Sequence, residues 1–576
     1  MNDIVFRIGG EGGEGVISTG ELLTRALARA DYEIYTFRTY PAEIKGGHAN
    51  FQVRVSDRLL LSQGDKLDVL LAFNQEAYDR HFKFLKVNGV LLYDSDSFST
   101  PPGINSCIGY GVPLTKIAVE QIGLKFSKNI IALGVLSELF NIPLEKFEGL
   151  ISEKFKKKGE EVYTKNIQAL EAGFDYAAQH VKKVDSYRLE PVTHKRDVVV
   201  MTGNEAMALG AVAAGLKVYA GYPITPATDI MEWLARELPK VGGVVVQTED
   251  EIAAIGTVLG ASFAGKKAMT ATAGPGLSLM TEFLGLATMT EIPCVVIDCQ
   301  RGGPSTGLPT KTEQGDLNLA LYGGHGDSPR VVIALTSVAD CFQGIIRAIN
   351  IAEEYQMPVI VLSDQYLAHR MASVERSNFE SVEIKERLRP TPAQLAGYKR
   401  YALTETGVSP MAIPGDVGGF YTATGLEHDE AAELSFESQN HEIMTEKRHR
   451  KLRMLEKTSN EAAKVYGLEQ PEIAIIGWGS SEGVIREAVE RAQEEKMPVG
   501  ALHPKLLKPF PTQRVQTFLK KAKVLIIPEI NFTGQFASLL RAHVSFEPIA
   551  QLNKCGGLPF APEEILAKIK EVRKHG

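Results

Sequence analysis

Short apolar runs rich in Val and Ile recur along the chain, among them residues 4–8, 197–201, 244–247, 294–299, 472–476 and 523–527, with segments of helical period between them. That alternation is the pattern of parallel sheets covered by helices, so the predicted fold class is α/β with several parallel-sheet domains. Polar, Pro-containing or charged connections divide the pattern. The first stretch covers residues 1–184, and after the polar link 185–196 a second covers 196–392, closing on Leu388-Arg-Pro-Thr-Pro392. Over 393–470 the periodicity weakens, with a Pro/Gly-rich patch at 409–419 and a dense charged run at 442–457 that reads as a solvated helix. Strand patterns return over 471–576, which reads as a small separate α/β domain.

Composition agrees with several cores rather than one. The chain has 576 residues, whereas single cores stop growing at about 250–300. A hydrophobic fraction of 44% with 23% charged residues supplies enough apolar material to bury them. The net charge of -7 makes no basic field for nucleic acid, and no stretch is apolar and long enough for a membrane span or a signal peptide, so a cytoplasmic protein is expected. Five scattered cysteines (Cys107, Cys294, Cys299, Cys341, Cys555) without a Cys-x-x-Cys encode neither a disulfide framework nor an iron–sulfur cage. Cys294 and Cys299 lie on one strand pattern and read as core residues.

Candidate chemistry gathers at loops that follow strands. Gly10-Glu-Gly12-Gly13-Glu-Gly15 fits the dinucleotide fingerprint between a strand and a helix, but Glu11 and Glu14 oppose a pyrophosphate and the next strand ends in Arg38 rather than an acid. A tight turn, or a site for another anionic ligand assisted by Lys45-Gly46-Gly47-His48, stays open beside the nucleotide reading.

Three junctions in the central stretch carry further special residues, at the strand ends where α/β sheets bind ligands. In Tyr222-Pro223-Ile224-Thr225-Pro226, Thr225 is placed to cap the next helix, with Pro226 at its first position. Thr248-Glu-Asp-Glu251 has capping-box spacing, while Glu251 shares an apolar helical face with Ala254, Ile255 and Val258 and so suits a buried carboxyl that exchanges a proton. Thr272-Ala-Gly274-Pro-Gly276 lets backbone approach a ligand closely. Arg301, at a strand's carboxyl end, can bind a carboxylate in bidentate fashion, or form a surface ion pair.

Together the Tyr222 to Pro226 motif, the Glu251 helix, Thr272 to Gly276 and Arg301-Gly-Gly-Pro-Ser-Thr306 resemble the α subunit of 2-oxoacid:ferredoxin oxidoreductases. Residues 1–184 are similar to the family's γ domain fused in front. Leu507-Lys-Pro-Phe-Pro511 and Glu529-Ile-Asn-Phe-Thr-Gly-Gln535 resemble its transketolase-C-like domain, and the fused order is that of two-subunit 2-oxoglutarate enzymes. The resemblance implies a pyrimidine-binding domain for thiamine diphosphate at 196–392, a connecting segment at 393–470, and CoA-dependent oxidative decarboxylation to an acyl-CoA with reduction of ferredoxin. It implies that Glu251 contacts N1′ of the aminopyrimidine, with Tyr222, Pro223, Ile224, Thr225, Gly274 and Gly276 around the cofactor. Arg301 would bind the substrate carboxylate beside Thr225, with Thr306, Thr310 and Lys311 toward its far end. CoA would meet the loops of Gly12, Gly13, Gly15, Lys45, Gly46, Gly47 and His48.

Gly64-Asp65, Gly315-Asp316, Gly326-Asp327 and Gly415-Asp416 are not followed by glycine, and the sequence has no Asn-Asn pair. The diphosphate half, Mg²⁺ and a [4Fe–4S] cluster are therefore expected on a partner β subunit, in an (αβ)2 assembly, with no metal held here. Pyruvate or mixed 2-oxoacids are the near alternatives to 2-oxoglutarate. A transketolase-type enzyme and a nucleotide-binding module are the more distant ones.

Overall fold

The computed structural model describes residues 3–41, 46–98, 106–380 and 382–575 and divides the chain into two compact units. The first comprises residues 1–201 with 369–376. Its eight-stranded sheet is mixed. By first residue the order is Ile108, Leu85, Leu67, Asp3, His48, Glu33, Met371, Val198, with Asp3–Glu11 parallel to Leu67–Ala72 but antiparallel to His48–Ser56. The helix Val16–Arg29 covers one face with Leu22, Leu23, Ala26 and Leu27 buried, beside the almost wholly buried helix Lys128–Phe140. Helical residues at spacings of three and four make that apolar stripe.

The second unit, residues 202–368 with 377–576, contains two sheets. The larger runs Leu506–Lys508, Val331–Ala334, Pro358–Asp364, Cys294–Gln300, Ala268–Thr272, Val218–Gly221, Val244–Gln247. All its pairings are parallel except that of Leu506–Lys508, which lies antiparallel at the edge. Strands buried on both faces explain the unbroken Val/Ile runs of Cys294–Gln300 and Pro358–Asp364. The smaller sheet runs Lys464–Gly467, Val499–His503, Ile473–Ile476, Val524–Glu529, Ile549–Asn553, four of its five strands lying in 471–576, and Leu507-Lys-Pro-Phe-Pro511 begins within the strand Leu506–Lys508 that joins the larger sheet.

The charged run at 442–457 is not a solvated helix. In Ser438–Met454 the residues Met444, Lys447, Arg448 and Lys451 are buried, a stripe at helical spacing built mainly from long cations. Lys447 Nζ lies 2.7 Å from both carboxylate oxygens of Glu291, Lys451 Nζ donates to the same group, and Arg400 Nη2 donates to the Glu291 carbonyl at 2.8 Å. Glu291 is 1% exposed. Burial alone would raise its proton affinity, but Lys447, Lys451 and Arg400 hold it well below the ordinary carboxylate range. Burial in turn pushes Lys451 down to about 7. A carboxylate 156 residues away in sequence from Lys447 thus turns a polar-looking helix inward.

Candidate active site

At the carboxyl end of Val218–Gly221 the segment 222–226 leaves the sheet, and Asn204 Nδ2, wholly buried, donates to the Pro226 carbonyl at 2.8 Å. Tyr222 is exposed, whereas Pro223, Ile224 and Thr225 are half-buried. The next helix begins at Thr228 with Ala227 as an N-cap lacking any side-chain bond. Thr225 is therefore not the cap and Pro226 not the first helical residue: a turn in which Ala227 and Thr228 donate to the Ile224 carbonyl comes between.

The capping-box reading of Glu251 is also overturned. Asp250 is the N-cap, its carboxylate accepting from Ala253 N at 2.7 Å, and Thr248 Oγ1 donates to the Asp250 carbonyl. Because Asp250 satisfies the helix end one residue earlier, Glu251 is the first helical residue and keeps its carboxylate for another use. It is 6% exposed. Its side chain lies over Gly276: a Cβ there would come 2.6 Å from Glu251 Oε1 and 2.0 Å from Thr272 Oγ1. Only glycine fits.

Arg301 leaves the end of Cys294–Gln300 and is 7% exposed. Its Nη1 donates to the Thr225 carbonyl at 2.6 Å, and its Nε has no hydrogen-bond partner. Burial lowers its proton affinity, opposed by Asp316 and Asp298. Asp316 presses on Gly274, where a Cβ would lie 2.7 Å from Oδ2, and its amide donates to Gln300 Oε1 at 3.1 Å. The C-terminal stretch fixes this turn. Gln535 Nε2 donates to the Gly315 carbonyl at 2.6 Å, Asn531 Nδ2 to that of Gln314 at 3.1 Å, and the Glu529 carboxylate accepts from Phe536 N, Ala537 N and Asn531. Between the two lies a cavity of 530 Å³ walled by Gly274, Arg301, Gly303, Glu313, Asp316 and Asn531, among others.

Thr306, Thr310 and Lys311 are not on that wall. Thr306 is exposed and Thr310 buried, and the Lys311 stem packs at the backbone of Gly557, in a loop closed by Gly302 N to the Lys311 carbonyl at 3.0 Å. Residues missed in the sequence are Asp298, Glu313, Asp316 and the Asn531 and Gln535 clamps. An aspartate inside the apolar strand Cys294-Val-Val-Ile-Asp-Cys299 was the available signal for the first. Among the described residues no group of three or more His, Cys, Asp or Glu could hold a metal ion, and no helix is long and apolar enough to cross a membrane.

In the first unit the two glycine loops meet, Gly12 N donating to the Gly47 carbonyl at 2.8 Å, with Gly13 beside them and Gly15 as N-cap of Val16–Arg29. The Glu14 carboxylate accepts from Glu11 N, Asn74 Nδ2 and Lys128 Nζ, each at 2.8 Å. The chain's own acid thus takes up three donors at this turn, which a bound anion would otherwise compete for. Gly46 and His48 lie alongside, with His48 Nε2 2.7 Å from His81 Nε2. Lys45 lies outside the described residues.

Residues 209–447, which carry the Glu251 and Arg301 geometry, match the family model for the thiamine-diphosphate-binding domain of pyruvate flavodoxin/ferredoxin oxidoreductase, which sets the class of enzyme. Residues 5–176 match the model for pyruvate ferredoxin/flavodoxin oxidoreductase, and 471–565 that for core domain II of pyruvate:ferredoxin oxidoreductase. The α subunit of 2-oxoacid:ferredoxin oxidoreductase 2 from Aeropyrum pernix is 33% identical over 100% of this chain and 98% of its own. Subunit KorA of 2-oxoglutarate oxidoreductase from Mycobacterium tuberculosis is 36% identical over 98% and 91%. The chain belongs to the 2-oxoacid:ferredoxin oxidoreductase family, as a relative of the α subunits. Among solved structures it is similar to the 2-oxoglutarate:ferredoxin oxidoreductase from Magnetococcus marinus with 2-oxoglutarate, coenzyme A and succinyl-CoA bound, at 46% identity, a TM-score of 0.94 and 99% coverage of both chains.

Proposed function

We propose that the chain is the pyrimidine-binding subunit of a 2-oxoglutarate:ferredoxin oxidoreductase, working with a β subunit that holds the diphosphate, Mg²⁺ and a [4Fe–4S] cluster. The observation that carries the substrate choice is the end-to-end similarity to the Magnetococcus enzyme. The reading divides the chain into a γ-type domain at 1–184, the pyrimidine-binding domain at 196–392, a connection at 393–470 and a transketolase-C-like domain at 471–576.

The residues fit the aminopyrimidine half of thiamine diphosphate. Glu251 is almost buried, is not used as a cap and lies over a glycine that clears its carboxylate. When bound, the cofactor supplies a nucleophilic carbon for the keto group and a sink for the electrons left by decarboxylation. Glu251 holds or moves a proton at the pyrimidine nitrogen. Tyr222, Pro223, Ile224, Gly274 and Gly276 shape the surrounding wall. Arg301, held by the Thr225 carbonyl, orients the 2-oxoacid carboxylate, with Nε still to be satisfied. Thr306, Thr310 and Lys311 lie on the adjoining loop off the cavity wall, so the proposal that they contact the distal end of the substrate requires that loop to rearrange on binding. The loops of Gly12, Gly13, Gly15, Lys45, Gly46, Gly47 and His48 are proposed to meet CoA.

The test is a substrate panel on the complex co-expressed with its β subunit. The expected result is CoA-dependent reduction of a viologen dye, greatest with 2-oxoglutarate, and no activity from the isolated chain. Equal rates with pyruvate and branched 2-oxoacids would replace the substrate assignment, and activity of the isolated chain would overturn the division of labour.

A further inference from the structure

Asp298 lies on the buried strand Cys294–Gln300, wholly inaccessible to solvent, and neither carboxylate oxygen has a hydrogen-bond partner. A bare buried carboxylate is far costlier than a neutral carboxyl. Asp316 lies over Gly274 on the wall of the cavity that Arg301 also lines, its Oδ2 likewise without a partner, although its position is fixed by Gln300, Gln535 and Asn531. Two carboxyls thus attend one arginine, and none of the three forms a direct ion pair with another.

Burial drives both carboxyls upward, Asp298 well above the ordinary range with the charge of Asp316 adding to the effect, and Asp316 to about 6 with Arg301 holding it back. Interacting carboxyls titrate as a pair; Asp298, wholly buried with neither oxygen hydrogen-bonded, holds a proton more tightly than Asp316, which lines the cavity with Arg301 and shares its charge. The other titratable or charged groups facing the pair are Glu313, which raises Asp316, and Cys299 next to Asp298. The helix Gly274–Leu279 presents Gly274, with Glu251 behind at Gly276, and Asn531 and Gln535 on the cavity wall are neutral.

We propose that Asp316 is a positioning residue that yields Arg301 to the substrate: when the 2-oxoacid carboxylate takes the guanidinium, Asp316 accepts a proton, so that binding is linked to proton uptake. A second anion at the arginine leaves the Asp316 charge uncompensated in a buried place. Protonating Asp316 relieves that cost. Binding favours the protonated form, so affinity is highest below the free-enzyme pKa. It weakens as pH rises, by up to about tenfold per unit, until the pKa of the bound state is passed. The inference rests on the assignment of Arg301 to the substrate carboxylate.

The test is calorimetric titration of the co-expressed holo-complex with N-oxalylglycine, an amide isostere of 2-oxoglutarate, in buffers of differing ionisation enthalpy. The KM for 2-oxoglutarate is followed over about pH 6–9 alongside it. The expected result is uptake of a fraction up to about one proton per site in the wild type. Asp316→Asn should abolish that uptake and give a low KM independent of pH. Absence of uptake in the wild type, or uptake that persists in Asp316→Asn, overturns the linkage. Binding that is unchanged in Arg301→Ala overturns the carboxylate assignment and the linkage with it, whereas loss of binding there with no uptake in the wild type overturns the linkage alone. The wild-type calorimetry decides even if the variant does not fold.

Discussion

Replacing Gly276 by alanine tests the geometry of the site at its tightest point. The added Cβ would lie 2.0 Å from Thr272 Oγ1 and 2.6 Å from Glu251 Oε1, so to recover ordinary contact distances Thr272 Oγ1 must retreat by about 1.5 Å and Glu251 by about 1 Å. Thr272 is in the central sheet and wholly buried, so it can relieve its own clash only by turning its hydroxyl away, while the Glu251 side chain gives way to relieve the second. Overpacking of this kind costs about 1–3 kcal/mol, small enough for the complex to assemble. A displacement near 1 Å of a group that must meet a reacting partner costs about 10²-fold in rate. Gly276→Ala is therefore expected to lower kcat for CoA-dependent viologen reduction by about two orders of magnitude with a modest drop in Tm. Adding Thr272→Ala removes the closer clash and should recover part of the lost Tm without restoring kcat, because the Glu251 contact persists. A Gly276→Ala complex turning over within about threefold of wild type would refute the placement of Glu251 as the group that matters.

The remaining expectations concern single charges. Glu251→Gln should leave assembly and melting unchanged, since Asp250 is the cap, while turnover falls by about 10²-fold or more; near-normal turnover would remove Glu251 from the chemistry. Arg301→Ala should act mainly on KM for the 2-oxoacid, and a loss confined to kcat would count against carboxylate binding. Glu291→Gln strands the buried ammonium groups of Lys447 and Lys451 and should destabilise the protein by about 3–5 kcal/mol, read by thermal melting. The pH sign follows from the depressed proton affinity of Glu291. Its stabilisation is present above the ordinary glutamate value of 4.5 and is lost as pH falls below it, so the wild-type Tm should drop on acidification more steeply than that of Glu291→Gln.

The α/β class and the strand-end loops are legible in the sequence, because hydrophobic period and turn residues are local quantities, whereas Glu251 and Arg301 stand out there through the resemblance to a family. The tertiary structure decided what those residues are free to do. Capping spacing assigned Thr225 and Glu251 to helix ends, yet the helices begin one or more residues elsewhere, at Thr228 and after Asp250. A charged helix looked solvated until Glu291, far away in the chain, paired with its inward stripe. Asp298 and Asp316 carry no recognisable motif and acquire meaning only when strand and turn bring them to the same arginine. Burial and long-range pairing set the charge of such groups, and neither can be read from neighbours in sequence.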